Sequence, residues 1–383
     1  MTILAHKDTM KIAVNTRFLL SDQMEGYGYF IHETFSRITR NHPEHEFIFI
    51  FDRPYHSKFI YSANITPAVV TPAARHPLLW KLWFDIKVPS ALKKYRADIF
   101  VSPDGFCSLN TRVSQCLIVH DLSFLHFPSF IKKSHLFFYK NFTGKFIAKA
   151  KSIATVSEFS KKDIIDHYGI DEKKIDVVFS AAKDIFKPIL LEVKEETKKQ
   201  YSDGKEFFLH TGAIHPRKNL ENLLKAFSIF KKRQQSSFKL VLAGRLAWKY
   251  DSFIENLRTY KYRNDVVLLD YVNEEALAKL TASAYALVYP SFFEGFGVPV
   301  LEAMQCGVPV ITSTGSSMQE ISGDAALYAD PGNYIELAEQ MMYLYKDEKL
   351  RTILIQKAIL VPLLYTWENT ADLLWQAIQK AID

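Results

Sequence analysis

The sequence predicts an α/β protein built from two doubly wound, Rossmann-like domains. Three observations carry this. The chain has 383 residues, and at about 100–200 residues per domain two is the natural number. Short apolar runs alternate with amphipathic stretches, which argues for parallel sheets covered by helices on both faces. The alternation stops at a polar segment and then starts again. Composition agrees: 48% hydrophobic and 23% charged residues, with 14 glycines and 15 prolines, describe a globular chain and exclude a fibrous or disordered one.

In the first half, strands are expected at Ile12–Asn15, Glu46–Phe51, Asp98–Val101, Cys116–His120, Ile153–Val156 and Ile175–Phe179. Helices are expected at Tyr27–Thr39, Leu78–Tyr95, Ser134–Ala150 and Glu158–His167. Pro89 should break the second of these, because proline has no N–H to continue the ladder. The stretch Asp184–Tyr201, rich in lysine and glutamate, reads as a linker plus a surface helix. The second half repeats the pattern, with strands at Phe207–Thr211, Lys239–Ala243, Val266–Leu269, Ala286–Tyr289 and Pro309–Thr312. Its helices are Leu220–Arg233, Ser252–Leu257, Glu274–Ser283, Pro299–Gln305, Tyr334–Lys346, Leu350–Leu360 and a last one at Trp367–Ile382. Two such domains facing each other make a cleft, and ligands bind at the C-terminal ends of their strands.

The three cysteines (Cys107, Cys116, Cys306) form no CxxC pair. A disulfide framework or zinc site is therefore not expected, and a reducing, cytoplasmic setting is. No apolar run approaches the roughly 18 residues that span a bilayer. The strand-like run begins only at Lys11, so Met10 is a candidate start preceded by a short unstructured leader. Charge is uneven: residues 1–184 hold 25 Lys+Arg against 18 Asp+Glu, and residues 81–151 hold 12 against 4. A basic half predicts an anionic partner.

Two segments carry chemistry. The first runs from Gly212 through Arg217-Lys218 into a helix. Helix N–H groups and the dipole favour an anion there, arginine adds a planar fork, and lysine adds a point charge. A diphosphate suits such a site, and a solvated basic turn is the bland alternative. The second segment contains Glu294-Gly295-Phe296-Gly297 and Glu302. Backbone amides of the glycine loop can point at an anion. The two carboxylates would repel a phosphate and should not face it, but they accept hydrogen bonds from sugar hydroxyls. Together the pattern describes a nucleotide sugar; turn capping by Glu294 and a dipole role for Glu302 are the structural alternatives.

Glu294-x7-Glu302, preceded by Pro290-Ser291 and followed by Ala303-Met304-x-x-Gly307-Val-Pro-Val, resembles the signature of family 4 retaining glycosyltransferases with the GT-B fold. Gly212-x-x-x-Pro-Arg-Lys-Asn-Leu is similar to the same family's diphosphate segment. His120-Asp121-Leu, Ser157-Glu158-Phe-Ser, Ser316–Glu320 and Trp367-Glu-x-x-Ala extend the resemblance nearly end to end. It implies an acceptor-side domain of residues 1–185, completed by a C-terminal helix at 366–383 that crosses back, and a donor-binding domain of residues 186–365.

The resemblance also implies roles. Arg217 and Lys218 would hold the donor diphosphate. Glu294 would contact the hexose, with the Gly295, Phe296 and Gly297 amides nearby, and Glu302 would hold ribose hydroxyls. Gly212 would open the phosphate loop. Many members carry Gly-Arg where this chain has Gly212-Ala213, which leaves Arg217 as the candidate replacement. Gly26 and Gly28, after the first strand, would approach the donor phosphate, and His120 would line the donor-sugar site; an ordinary turn and a structural histidine beside Asp121 are the alternatives. Asp104-Gly105 and Ser157 sit at similar strand ends. Leaving-group charge would be stabilised by cations and amides. No DxD loop or His/Cys grouping is evident, so no metal or other cofactor is expected.

The expected function is retaining transfer of a hexosyl group, mannose from GDP-mannose in the first instance and a UDP-sugar next, to a glycan or lipid-linked glycan acceptor in cell-surface polysaccharide biosynthesis. A non-catalytic nucleotide-sugar-binding subunit and another GT-B enzyme, such as a sugar-nucleotide epimerase or a phosphorylase, remain alternatives. The base pocket is expected around Gly244–Trp248 and Tyr271–Val272. The basic, aromatic stretches Trp80–Arg96 and Phe130–Phe146 suit an anionic membrane face, which would place the protein peripherally at the inner surface. Buried aromatics with solvated lysines are the alternative. No nucleic-acid motif appears.

Overall fold

The computed structural model describes residues 9–22, 24–245 and 251–382. Residues 1–8, most of the expected leader, lie outside these. The chain divides into two compact units, one running to Ser180 and rejoined from Trp367 onward, the other Ala181–Thr366.

In the first unit, seven strands form one parallel sheet: β1 (Lys11–Asn15), β2 (Glu46–Phe51), β3 (Ile65–Val69), β4 (Ile99–Ser102), β5 (Ser114–Val119), β6 (Ser152–Thr155) and β7 (Ile175–Val177). Their order is β3-β2-β1-β4-β5-β6-β7, and every pairing is parallel. Central strands covered on both faces need apolar side chains throughout; β2, Glu-Phe-Ile-Phe-Ile-Phe, is buried at five of its six positions. The order reverses between β1 and β4, which sets a topological switch point at their C-terminal ends.

Two features depart from the sequence reading. β3 was not expected, and Pro67 sits within it. It is an edge strand, where proline's missing N–H costs no ladder bond to a further neighbour. Pro89 does not break its helix either. Pro77–Leu82, a π-helical turn Trp83–Lys87 and Val88–Tyr95 follow one another without interruption. The Val88 N–H reaches the Trp83 carbonyl, and the Asp85 carbonyl, which lies four residues before Pro89, accepts from Asn110 Nδ2 at 3.2 Å. A side chain thus supplies the donor that proline lacks.

The helix Trp367–Lys380 completes this unit. It packs on the helix Gly26–Asn41 and on β6. Trp375 stacks on His42 with centroids 3.9 Å apart, Ser152 Oγ donates to the Ala377 carbonyl at 2.7 Å, and Lys380 pairs with Asp176 at 2.8 Å.

The second unit holds a six-stranded parallel sheet of β8 (Phe207–Thr211), β9 (Lys239–Ala243), β10 (Val266–Leu269), β11 (Ala286–Tyr289), β12 (Val310–Ser313) and β13 (Leu327–Ala329). The order is β10-β9-β8-β11-β12-β13, so the switch point lies between β8 and β11. The three-residue edge strand β13 is too short to show in a periodicity reading. The polar stretch after Asp184 contains the helix Leu191–Ser202. No helix among the described residues is long and apolar enough to cross a membrane.

Candidate functional site

The switch point of the second sheet gathers the charged residues that the sequence singled out. β8 ends at Thr211, and the Gly212 N–H donates to the Ala243 carbonyl at 2.9 Å. A 3-10 turn, Pro216–Lys218, follows, with the His215 ring accepting from the Arg217 N–H. Asn219 then takes the left-handed conformation, φ +61°. Its buried amide donates to the carbonyls of Pro290 (3.0 Å) and Pro331 (2.6 Å). These bonds repay the unfavourable backbone and fasten the turn to the loop after β11, just before the helix Leu220–Gln234.

Glu294 arrives from that loop and sits against both cations. Its Oε2 accepts from Arg217 at 3.1 Å and its Oε1 from Lys218 at 2.7 Å. Arg217 also donates to the Phe293 carbonyl at 2.7 Å, and Lys218 donates to the Tyr289 hydroxyl. Burial alone would push the Glu294 carboxyl up; Arg217 and Lys218 outweigh it and hold the group down at about 2. The carboxylate therefore faces the two cations directly. Two cations and one carboxylate leave one net positive charge, so the cluster still favours an anion. Behind it, His210 stacks on Tyr289 with centroids 5.2 Å apart. Burial lowers the His210 pKa to about 4, so the ring is neutral at pH 7.

The glycine loop is shaped by Ser317, whose Oγ donates to the carbonyls of Glu294 (2.7 Å) and Phe296 (3.1 Å). Gly297 caps the helix Val298–Gln305 at φ +109°, and a Cβ there would lie 2.7 Å from Met318 Cγ; only glycine fits both constraints. The Phe296 side chain is buried, with its ring 5.6 Å from Tyr365. That residue can offer a ligand only its backbone. Glu302, in the helix, is buried. Burial drives its carboxyl up to about 8, with nearby Lys183 opposing and Glu274 adding to the rise. Among the described residues its carboxyl makes no hydrogen bond or ion pair, and only the charges of Lys183 and Glu274 act on it.

Of the expected base pocket, Leu246, Ala247 and Trp248 lie outside the described residues. The Arg245 carbonyl accepts from the Ile214 N–H at 2.9 Å, and Tyr271 is exposed.

In the first unit, Gly26 and Gly28 belong to the first turn of the helix Gly26–Asn41 rather than to a free loop. A Cβ on Gly28 would lie 2.5 Å from the Phe18 carbonyl oxygen, so close packing is what requires that glycine. His120 follows β5 and donates from Nε2 to the Pro103 carbonyl at 2.9 Å. Burial lowers its pKa, and its ring meets Tyr27 (4.7 Å) and Phe30 (5.1 Å) edge-on. The structure thus brings His120 and the Gly26–Gly28 turn together. Ser157 is an N-cap, accepting from the Ser160 N–H at 3.0 Å. At the β1/β4 switch point lies a network that the sequence reading noted only through Asp104. Asn15 Nδ2 donates to Asp104 at 2.8 Å, and buried Arg17 pairs with the same carboxylate and donates to the Ala74 carbonyl at 3.0 Å. Arg17 and Asn15 gave no signal, because neither stands in a motif and only the sheet order puts them beside Asp104.

Both halves of the chain match family models. Residues 192–361 match "Glycosyl transferases group 1" and residues 30–181 match "Glycosyltransferase Family 4". The chain belongs to the group 1 glycosyltransferases of the GT-B fold. It is 29% identical over 300 residues to O-antigen chain mannosyltransferase B of Escherichia coli, covering 77% of this chain and 78% of that one. It is 29% identical over 290 residues to O-antigen chain mannosyltransferase RfbU of Salmonella typhimurium, covering 72% and 74%. In fold it resembles Anabaena HepE, solved with UDP and glucose, at a TM-score of 0.73 and 15% identity over 97% of this chain and 99% of that one.

Proposed function

We propose that the chain moves a hexosyl group, with retention, from a nucleoside-diphosphate sugar to a glycan or lipid-linked glycan during cell-surface polysaccharide assembly. GDP-mannose is the first donor to test and UDP-sugars the next. The carrying observation is the Arg217–Glu294–Lys218 cluster, with its one net positive charge, at the β8/β11 switch point. The named activities of the two O-antigen mannosyltransferase relatives support the sugar and the setting.

The leaving diphosphate gains negative charge as the C1–oxygen bond breaks. Arg217, Lys218 and the amides of the Gly295–Gly297 loop stabilise that charge, so transfer proceeds without a divalent ion. Glu294 keeps unused lone pairs that can accept from hexose hydroxyls while it orients the two cations. Glu302 takes the ribose hydroxyls. His120 and the first turn at Gly26 and Gly28 serve the sugar and acceptor side. The acceptor oxygen attacks from the face the phosphate leaves, and its proton passes to the departing phosphate oxygen. The site of action is cytoplasmic, at the inner membrane surface. The helices Pro77–Leu82 and Lys133–Lys149 meet through Trp80 and Phe138 and leave Leu78 and Phe137 exposed among lysines.

Thermal shift with GDP, UDP and ADP tests the donor site. A nucleotide at about 100 times its dissociation constant adds roughly 2.7 kcal/mol of stability. The Arg217→Ala/Lys218→Ala variant should lose that shift. Transfer from the stabilising donor should survive a chelator. No shift with any nucleotide sinks the proposal.

A further inference from the structure

The fold assembles a cluster that no sequence motif announces. His126 ends the short helix Ser123–His126 after β5, while Asp163 and His167 are one turn apart in the helix Glu158–Tyr168. His126 Nε2 lies 2.8 Å from Asp163 Oδ1, and His167 Nδ1 lies 3.1 Å from the same oxygen. One ligand atom from each residue falls within 4.8 Å of the others. The two imidazoles meet edge-on at 5.1 Å. The other oxygen, Asp163 Oδ2, is buried and has no hydrogen-bond partner among the described residues.

Two ring nitrogens therefore converge on one carboxylate whose second oxygen is unfilled. Imidazole and carboxylate are the donors that zinc, copper, nickel and cobalt prefer. With bonds of about 2.0–2.2 Å, tetrahedral ligand atoms stand roughly 3.4 Å apart, so the two nitrogen–oxygen spacings of 2.8 and 3.1 Å need to open by about 0.6 and about 0.3 Å. On binding, each ring proton moves to the opposite nitrogen and the freed lone pair takes the ion. His167 exchanges its 3.0 Å bond to the Asp163 carbonyl for that ligation.

A second grouping, His42, Glu44 and His45, is less suited. His45 Nδ1 accepts from the Met10 N–H at 3.3 Å, so its proton sits on Nε2, the nitrogen that faces Glu44. The His42 ring is also held in its stack on Trp375.

We propose that His126, Asp163 and His167 bind one divalent transition-metal ion, with solvent completing the shell. The ion clips the segment after β5 to the helix after β6. That helix already holds the segment's start, where Ser160 Oγ donates to the His120 carbonyl at 3.3 Å. The site is structural, shares no residue with the Arg217–Lys218–Glu294 cluster, and does not depend on the glycosyltransferase reading.

The test uses the full chain, tag removed and stripped with chelator. Zinc is titrated by calorimetry and thermal shift, and cobalt by visible absorption. One saturable site per chain and a raised melting temperature are expected. His126→Ala and His167→Ala should each weaken binding at least about tenfold, and His42→Ala should not. Copper-loaded wild type should show nitrogen coupling in its EPR spectrum, a readout that needs no variant to fold. Absence of a saturable site, binding unchanged in both variants, loss only with His42→Ala, or no nitrogen coupling would each overturn the proposal.

Discussion

Glu294 competes with the anion its neighbours would bind. Removing its charge while keeping its shape, as Glu294→Gln, raises the local net charge from one to two. Free nucleoside diphosphate should then bind severalfold more tightly by calorimetry while sugar transfer is lost; weaker binding would show that positioning of the cations, not charge, dominates. The same variant should change acid stability. The group is held near 2 against an ordinary 4.5, so its contribution is fully present above pH 4.5 and is lost as pH falls through 2. Glu302 behaves in the opposite sense. Held near 8, it keeps a proton that the unfolded chain releases, so it makes folding stability fall as pH rises from about 4.5 to 8. Glu302→Gln should flatten that slope in urea titrations. Ribose hydroxyls would favour the ionised carboxylate, so nucleotide binding at pH 7 should release a proton. Binding enthalpy should therefore depend on the buffer's ionisation enthalpy in wild type and not in Glu302→Gln. The spacing of these glutamates was readable in the chain. Their opposite electrostatic states were not, because those depend on the burial of Glu302 in the fold and on Arg217 and Lys218 reaching Glu294 from a different loop.

At the scale of elements, local signals held where one force dominated. Apolar runs named the buried central strands, whose faces both need hydrophobic cover. They missed β3, where an edge position tolerates Pro67, and they stopped a helix at Pro89 that Asn110 allows to continue. The turn at Gly26–Gly28 gives a test. Alanine is ordinarily favoured over glycine in a helix, by about 1 kcal/mol in the interior and by less in the first turn, where Gly28 lies. At Gly28 the new methyl would meet the Phe18 carbonyl at 2.5 Å, which forces the helix start or that backbone to shift. Gly28→Ala should therefore lower the melting temperature despite its better propensity. An increase would mean that the close approach relaxes without cost.

At the scale of the whole molecule, the last helix is a structural part of the first unit. Trp367, Leu374, Trp375 and Ile378 are all buried. A chain ending at Thr366 should lose the cooperative unfolding of the first unit, with the second unit's transition and its nucleotide response retained. Calorimetry of the truncated protein checks this, and an unchanged two-unit profile would contradict it. The basic excess of residues 81–151 is a count along the sequence; the fold decides which side chains of that region reach the surface. Many aromatics of that region, including Trp83, Phe84, Phe138 and Phe146, are core residues, so any membrane contact falls to its lysines and to exposed Ile86 and Phe137, with Leu78 beside them. Co-sedimentation with anionic vesicles should fall as salt shortens the Debye length from about 10 Å at 0.1 M to about 3 Å at 1 M. Phe137→Ser should weaken it further.

The sequence by itself determined the α/β alternation, its restart after Asp184, and the residue types of the donor segments. Periodicity, glycine spacing and paired charges are local properties that survive in one dimension. Only the tertiary structure decided that Glu294 lies between Arg217 and Lys218, that Arg17 and Asn15 share Asp104, and that His126 meets Asp163 and His167. Each of these joins residues at or after the ends of different strands, and strand order, which no local pattern encodes, sets which of these segments become neighbours.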